Sequence, residues 1–162
     1  ADKTVKWPTG TGAAKNAGVA GGVKQTDGAI GYVELAYALQ NNFTTAAVEN
    51  SSGKFVEPNL QTTAAAGDGI KVPDDLRFSA INSPNPEAYP ISSATFILVY
   101  QDMCKAGIKE QAAKDTKAFL DYGLGAGQDV AKKLNYAPLP SNLLTQAKDK
   151  VAALECNGQP LS

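Results

Sequence analysis

Gly21-Gly22-Val23-Lys24-Gln25-Thr26-Asp27-Gly28-Ala29-Ile30-Gly31-Tyr32-Val33-Glu34 is the stretch on which the fold turns. It reads as a helix end, a tight turn and a strand. Asp27-Gly28 is a turn dipeptide, because glycine takes positive φ without a steric penalty. Ala29, Ile30, Tyr32 and Val33 supply an apolar, β-prone run. Gly31 inside that run marks a bulge or a close approach of the backbone to a neighbour. A helix followed by a strand at this spacing predicts an α/β protein.

Upstream, Thr4–Trp7 predicts a short strand and Pro8–Gly12 a loop, followed by a glycine-weakened helix over Ala13–Gln25. Downstream of the Gly28–Glu34 strand, Leu35–Gln40 predicts a short helix ended by Asn41-Asn42. Thr44–Val48 and Lys54–Val56 predict a hairpin across Asn50-Ser51-Ser52-Gly53. Pro58–Ala66 has proline at its start and Gly67 just past its end, which predicts a helix.

The texture changes from Asp68 to Pro90, where Pro73, Pro84, Pro86 and Pro90 break the chain among Asn and Ser. Such a segment predicts a long surface connection leading to a crossover. Ala94–Tyr100 is the most apolar run of the chain and predicts a central strand covered on both faces. The remainder predicts helices at Ile108–Tyr122, Gln128–Leu134 and Ser141–Glu155, with Gly123, Gly125 and Gly127 as punctuation. In the last of these, Leu144, Ala147, Val151 and Leu154 form one apolar stripe.

Composition excludes several classes of function. With 162 residues and 43% hydrophobic content the chain builds a core rather than a disordered tail. A net charge of −1 leaves no broad basic field for nucleic acid or an anionic membrane. No apolar run is long enough to cross a bilayer. The complete absence of histidine removes the usual general base, the triads built on it and most zinc and iron sites. Ala1–Lys6 has neither the apolar core nor the cleavage site of a signal peptide, as expected of a mature domain or a piece of a longer chain.

The candidate chemistry is sparse. Thr9-Gly10-Thr11-Gly12 before a helix has the make-up of an anion cradle, in which free N–H groups and the helix dipole favour phosphate. No Gly-Lys-Ser/Thr ending follows it, so a plain glycine-rich cap is the favoured reading. Asp74-Asp75 and Glu34 make a conceivable acid/base set, set against ordinary solvated carboxylates. Arg77 is the sole arginine, the side chain best suited to a bidentate anion contact, and a surface role is the plainer expectation. Asn42-Phe43-Thr44 and Asn50-Ser51-Ser52 match glycosylation acceptors. Cys104 and Cys156 read equally as a disulfide in an oxidising compartment or as two thiols.

Two separated stretches together resemble a known family. One runs Val5-Lys6-Trp7-Pro8-Thr9-Gly10-Thr11-Gly12 into Val23-Lys24-Gln25 and Gly28–Ala38; the other is Tyr89-Pro90-Ile91-Ser92-Ser93-Ala94-Thr95-Phe96-Ile97-Leu98. With Leu134–Pro140 and the ending Asn157-Gly158-Gln159-Pro160-Leu161, they resemble the periplasmic phosphate-binding proteins of the ABC phosphate-uptake system (PstS-type), in order and over nearly the whole chain. The resemblance implies part of a two-lobed periplasmic binding protein (type II), α/β, with mixed sheets flanked by helices. It implies that residues 1–88 are the C-terminal part of lobe two, 89–92 a hinge crossover and 93–162 the returning part of lobe one.

It further implies a periplasmic, non-enzymatic protein with no cofactor and no metal. Its partners would be inorganic phosphate, an inner-membrane ABC permease and an N-terminal portion of the same protein. That setting favours a Cys104–Cys156 disulfide. The family's phosphate ligands lie upstream of this stretch, so the resemblance assigns none of them to Thr9, Gly10, Thr11 or Gly12. Two other readings stand beside it: a secreted phosphatase on a related scaffold, and a non-binding fragment that self-associates through bared strand edges.

Overall fold

The computed structural model describes residues 6–68 and 70–161. They fall into two compact units, one ending at Thr44 and the other beginning at Thr45.

The first unit holds α1 (Lys15–Gln25) and α2 (Leu35–Gln40). Ala20 on α1 and Ala36 and Ala38 on α2 are its buried side chains, small enough to let backbones approach closely. The Asp27-Gly28 turn forms as its sequence dictates: Gly28 has φ +73° and the Ala29 N–H donates to the Thr26 carbonyl at 3.1 Å. The strand expected over Gly28–Glu34 does not form; the backbone there pairs with no strand among the described residues. Gly31 supplies the reason. A Cβ at Gly31 would lie 2.6 Å from Val23 Cγ2 and 3.0 Å from Val19 Cγ1, so the segment is pressed onto the side of α1. Ile30 and Tyr32 point outward, 98% and 77% exposed. Asn16, on the first turn of α1, clamps the end of this segment: its Nδ2 donates to Glu34 Oε2 at 2.8 Å, and the Glu34 N–H returns a bond to Asn16 Oδ1 at 3.0 Å. The strand expected over Thr4–Trp7 falls partly outside the described residues, and Lys6 and Trp7 are in no strand.

The second unit opens with a hairpin of β1 (Val48–Glu49) and β2 (Phe55–Val56), antiparallel, with Val48 opposite Val56 and Glu49 opposite Phe55. Its turn is closed by bonds from Asn50 N to Lys54 O and from Gly53 N to Asn50 O, each 2.9 Å, with Gly53 at φ +75°. α3 (Leu60–Asp68) follows. Its start is fixed reciprocally: the Thr62 N–H donates to Asn59 Oδ1 at 2.9 Å and the Asn59 N–H donates to Thr62 Oγ1 at 3.0 Å, which satisfies two orphan amides of the first turn. The helix starts two residues later than the proline suggested, because Asn59 is the capping residue.

From Ile70 to Ser93 the chain contains neither helix nor strand, in keeping with its proline spacing. Ala66, Ala80 and Ala88 bury together there, backed by Ile70 and Phe78. The central strand expected over Ala94–Tyr100 is a further correction. These residues pair with no strand among those described, and Phe96, Ile97, Leu98, Val99 and Tyr100 are all exposed, Leu98 at 92%. A run this apolar has the composition of a buried strand but meets no partner strand among the described residues.

α4 (Glu110–Gly123), α5 (Gly127–Lys133) and α6 (Ser141–Ala152) complete the unit. The main core joins Met103, Ala113, Val151, Leu154 and Leu161, with Leu120, Leu124 and the two cysteines packed around it. α6 buries Leu143 and Val151, so the face turns through Leu143, Ala147 and Val151 rather than starting from Leu144. α6 also stops three residues short of Glu155. Glu155–Cys156 (β3) instead pairs antiparallel with Gln159–Pro160 (β4) across Asn157-Gly158, whose φ values of +53° and +78° are the two positive angles a type I′ hairpin turn needs. An isolated parallel bridge joins Asp102 to Glu155. The sheets among the described residues are thus two short ribbons, with helices between them in sequence.

Candidate functional site

Most of the polar residues singled out from the sequence are exposed or engaged locally within their own unit. Thr9, Gly10, Thr11 and Gly12 are exposed, and a Cβ at Gly10 or Gly12 would meet nothing within 4 Å. α1 begins only at Lys15, so this loop does not run directly onto a helix N-terminus. Glu34 is engaged by Asn16, as described above. Asp74 and Asp75 do not act as a pair. Asp75 instead accepts the Arg77 N–H at 3.0 Å and the Arg77 Nε and Nη2 at 2.8 Å each. The Arg77 N–H, and then its guanidinium, hold the Asp75 carboxyl below the ordinary carboxylate range. The only guanidinium of the chain is therefore committed to a local, exposed ion pair.

Two constellations are brought together that the sequence did not disclose. The first centres on Asn50, which is buried. Its Nδ2 donates to the carbonyls of Pro86 at 2.9 Å and Ala88 at 3.2 Å, while its Oδ1 accepts the N–H groups of Ser52 at 3.0 Å and Lys54 at 3.2 Å. The neighbouring Ser51 hydroxyl donates to the Ser83 carbonyl at 2.9 Å, and Lys54 Nζ pairs with Glu87. The tip of the β1–β2 hairpin is thereby fastened to the proline-rich segment. Asn50 is consequently no glycosylation acceptor in this fold, since both hydrogens of its amide are spent in the interior. A few residues on, the Tyr89 N–H donates to Thr62 O at 3.0 Å and the Ser92 hydroxyl to Tyr89 O at 2.8 Å. Burial pushes the Tyr89 phenol upward.

The second constellation centres on Asp102. Its Oδ1 accepts the Lys105 N–H at 3.0 Å and the Asn157 N–H at 2.9 Å; its Oδ2 accepts the Gly158 N–H at 2.8 Å and lies 3.2 Å from Lys105 Nζ. These donors, the Lys105 N–H foremost, lower its carboxyl to about 2. Beside it Cys104 and Cys156 are joined, with Cα atoms 4.7 Å apart and a sequence separation of 52. One carboxylate and one disulfide thus fasten the β3–β4 hairpin to the turn that follows the exposed apolar run. The signal for this hairpin was in the sequence as Asn157-Gly158; the role of Asp102 had none. Among the described residues no His, Cys, Asp and Glu side chains gather as a metal site, and no helix is long and apolar enough to cross a membrane.

A fold of short helices and two-stranded ribbons, with an apolar strand-like run left bare, is the appearance of part of a larger α/β protein. Comparison with known families agrees: the PBP superfamily domain matches residues 2–126, and this chain belongs to that superfamily. It is α/β in class and consistent with part of a type II periplasmic binding protein. Curated relatives narrow the likeness. The phosphate-binding protein PstS of Xylella fastidiosa (strain 9a5c) is 38% identical over 145 residues, covering 88% of this chain and 39% of the relative. That of Haemophilus influenzae is 36% identical over 152 residues, covering 91% and 44%. That of the archaeon Methanocaldococcus jannaschii is 36% identical over 142 residues, covering 79% and 36%. The chain therefore spans about two fifths of the length of the curated relatives it matches.

Proposed function

We propose that this chain is part of a binding protein that captures inorganic phosphate for uptake through an ABC transporter, and that the remainder of that protein supplies the phosphate ligands. The observation that carries the reading is the agreement between its relatives, all phosphate-binding proteins, and a fold whose most apolar segment is uncovered. An exposed run from Phe96 to Tyr100 that pairs with no described strand is what remains when a sheet is represented by only part of its strands.

In this reading residues 1–88 are the closing part of lobe two, 89–92 the crossover and 93–162 the returning part of lobe one. The bonds of Tyr89 and Ser92 support a crossover whose backbone is held in place on the lobe-two side. The lobes close on the ion, and the closed form presents it to an inner-membrane permease. The protein works in the periplasm, where an oxidising environment maintains the Cys104–Cys156 bond. It binds without catalysing a reaction, in keeping with the names of its relatives. A net charge of −1 is compatible with anion capture, because backbone N–H groups and helix N-termini hold a dehydrated phosphate without excess basic charge.

The experiment is isothermal titration with phosphate of this chain and of the same sequence extended upstream to the full length of its relatives. Saturable one-to-one binding by the extended protein alone is the expected result. No binding by the extended, folded protein would overturn the phosphate reading.

A further inference from the structure

Asn157-Gly158 is the sole Asn-Gly pair in the sequence. Both residues are exposed, so water has access to them. An Asn-Gly pair is chemically labile because glycine has no Cβ to shield its peptide nitrogen. The Gly158 nitrogen loses its proton and attacks the Asn157 side-chain carbon Cγ. The Cγ–Nδ2 bond breaks and ammonia leaves with that proton. Water then opens the resulting five-membered imide at either carbonyl, leaving aspartate or isoaspartate. No electrons are exchanged, and water is the only co-reactant.

The attack requires the Gly158 nitrogen to swing toward Cγ with its proton free to leave. The structure obstructs both. The Gly158 N–H is held by Asp102 Oδ2 at 2.8 Å and the Asn157 N–H by Asp102 Oδ1 at 2.9 Å, so one carboxylate grips both peptide units of the turn. The flanking pair Cys156 and Gln159 is in register across the hairpin, and Cys156 is bonded to Cys104. Asn157 is thereby kept at φ +53°, with its Nδ2 3.9 Å from the Cys156 Sγ.

We infer that Asn157 is a latent deamidation site held unreactive by the Asp102 carboxylate. The consequence is one-directional. A carboxylate formed at position 157 puts a second negative charge on the residue whose backbone N–H Asp102 holds, and like charges oppose the grip that held the turn. A chain that has once opened here closes less well, so the terminal hairpin carries a record of past opening.

The test follows ammonia loss at Asn157 by peptide mapping with isoaspartate-specific methyl labelling, at mildly alkaline pH. The folded wild-type chain, the same chain in urea and the folded Asp102→Ala variant are compared, with Asn157→Gln as the blank. The folded wild type reacts more than roughly tenfold slower than the unfolded chain, a factor that a local opening free energy of about 1.4 kcal/mol supplies. Asp102→Ala recovers most of the unfolded rate. Equal rates in folded and unfolded wild type overturn the inference. So does a folded Asp102→Ala chain as slow as wild type, which assigns the protection to the turn alone. Should circular dichroism show Asp102→Ala unfolded, the wild type decides by itself: in rising sub-denaturing urea the deamidation rate tracks hydrogen exchange of the Gly158 amide, and a rate that does not follow that exchange refutes the grip.

Discussion

Removing the Asn50 side chain is the most demanding test of how the second unit is held. Asn50→Ala deletes two donors, to Pro86 O and Ala88 O, and one acceptor shared by Ser52 N and Lys54 N. Each of the four bonds contributes about 1 kcal/mol net, and buried partners left without a bond cost more than that. Water reaches the turn amides of Ser52 and Lys54, both exposed residues, and recovers part of the loss. The expected destabilisation is therefore about 3 kcal/mol, a large share of the roughly 5–15 kcal/mol that holds a typical domain together. In urea, with a slope of about 1.5 kcal/mol per molar, the midpoint falls by about 2 M. Asn50→Asp separates the two halves of the argument: it keeps an acceptor for the turn but sets a carboxylate against two carbonyl oxygens. At neutral pH it should be no more stable than the alanine variant. The assay is equilibrium urea unfolding followed by circular dichroism at constant protein concentration. An Asn50→Ala midpoint within about 0.3 M of wild type would refute the claim that this side chain fastens the hairpin to the proline-rich segment.

Four further outcomes follow from the same geometry. Gly67→Ala places a Cβ 2.8 Å from Pro140 Cγ and lowers stability by about 1–3 kcal/mol, whereas Gly21→Ala on α1, with nothing within 4 Å, raises helix stability by about 0.5–1 kcal/mol; paired thermal melts read both. Asp102 has a lowered carboxyl, about 2 when folded against about 3.9 when unfolded, so its contribution is complete above about pH 5 and disappears as pH falls from about 4 through 2. Asp102→Asn removes that acid-limb dependence, which urea midpoints measured across pH will register. Replacing Cys104 and Cys156 together by serine frees a separation of 52 residues and costs about 2–4 kcal/mol, seen as a lower melting temperature that reductant no longer shifts. Leu98→Ser, at a residue 92% exposed, changes the stability of this chain by less than about 0.5 kcal/mol, the opposite of what a buried strand would give.

Local chemistry was legible where it was sufficient by itself. The Asp27-Gly28 turn, α2 over Leu35–Gln40, the hairpin around Asn50–Gly53 and the helix ending near Gly123 all follow from turn glycines and short periodic runs. Gly31 announced a close approach, and the structure shows its partners to be Val19 and Val23 on α1. The apolar runs misled for one physical reason: β-propensity measures fit to a neighbouring strand, and neither Gly28–Glu34 nor Ala94–Tyr100 has one among the described residues. The end of α6 was overrun because Leu154 continues the apolar pattern, while the Asn157-Gly158 turn and the Asp102 bonds hold Glu155 and Cys156 as a strand. Asn50 and Asp102 had no signal of their own. Each acts through backbone groups tens of residues away, and such partners leave no trace in local spacing.

On the proposal made above, this chain is part of a phosphate-binding protein but does not itself grip the ion. Titrating phosphate into the folded 162-residue chain by calorimetry tests it most directly. No saturable heat is expected from this chain, with one-to-one binding appearing when the same sequence is extended upstream to the length of its relatives. Saturable one-to-one binding by the 162 residues alone would contradict it, and would send attention back to the exposed Thr9–Gly12 loop.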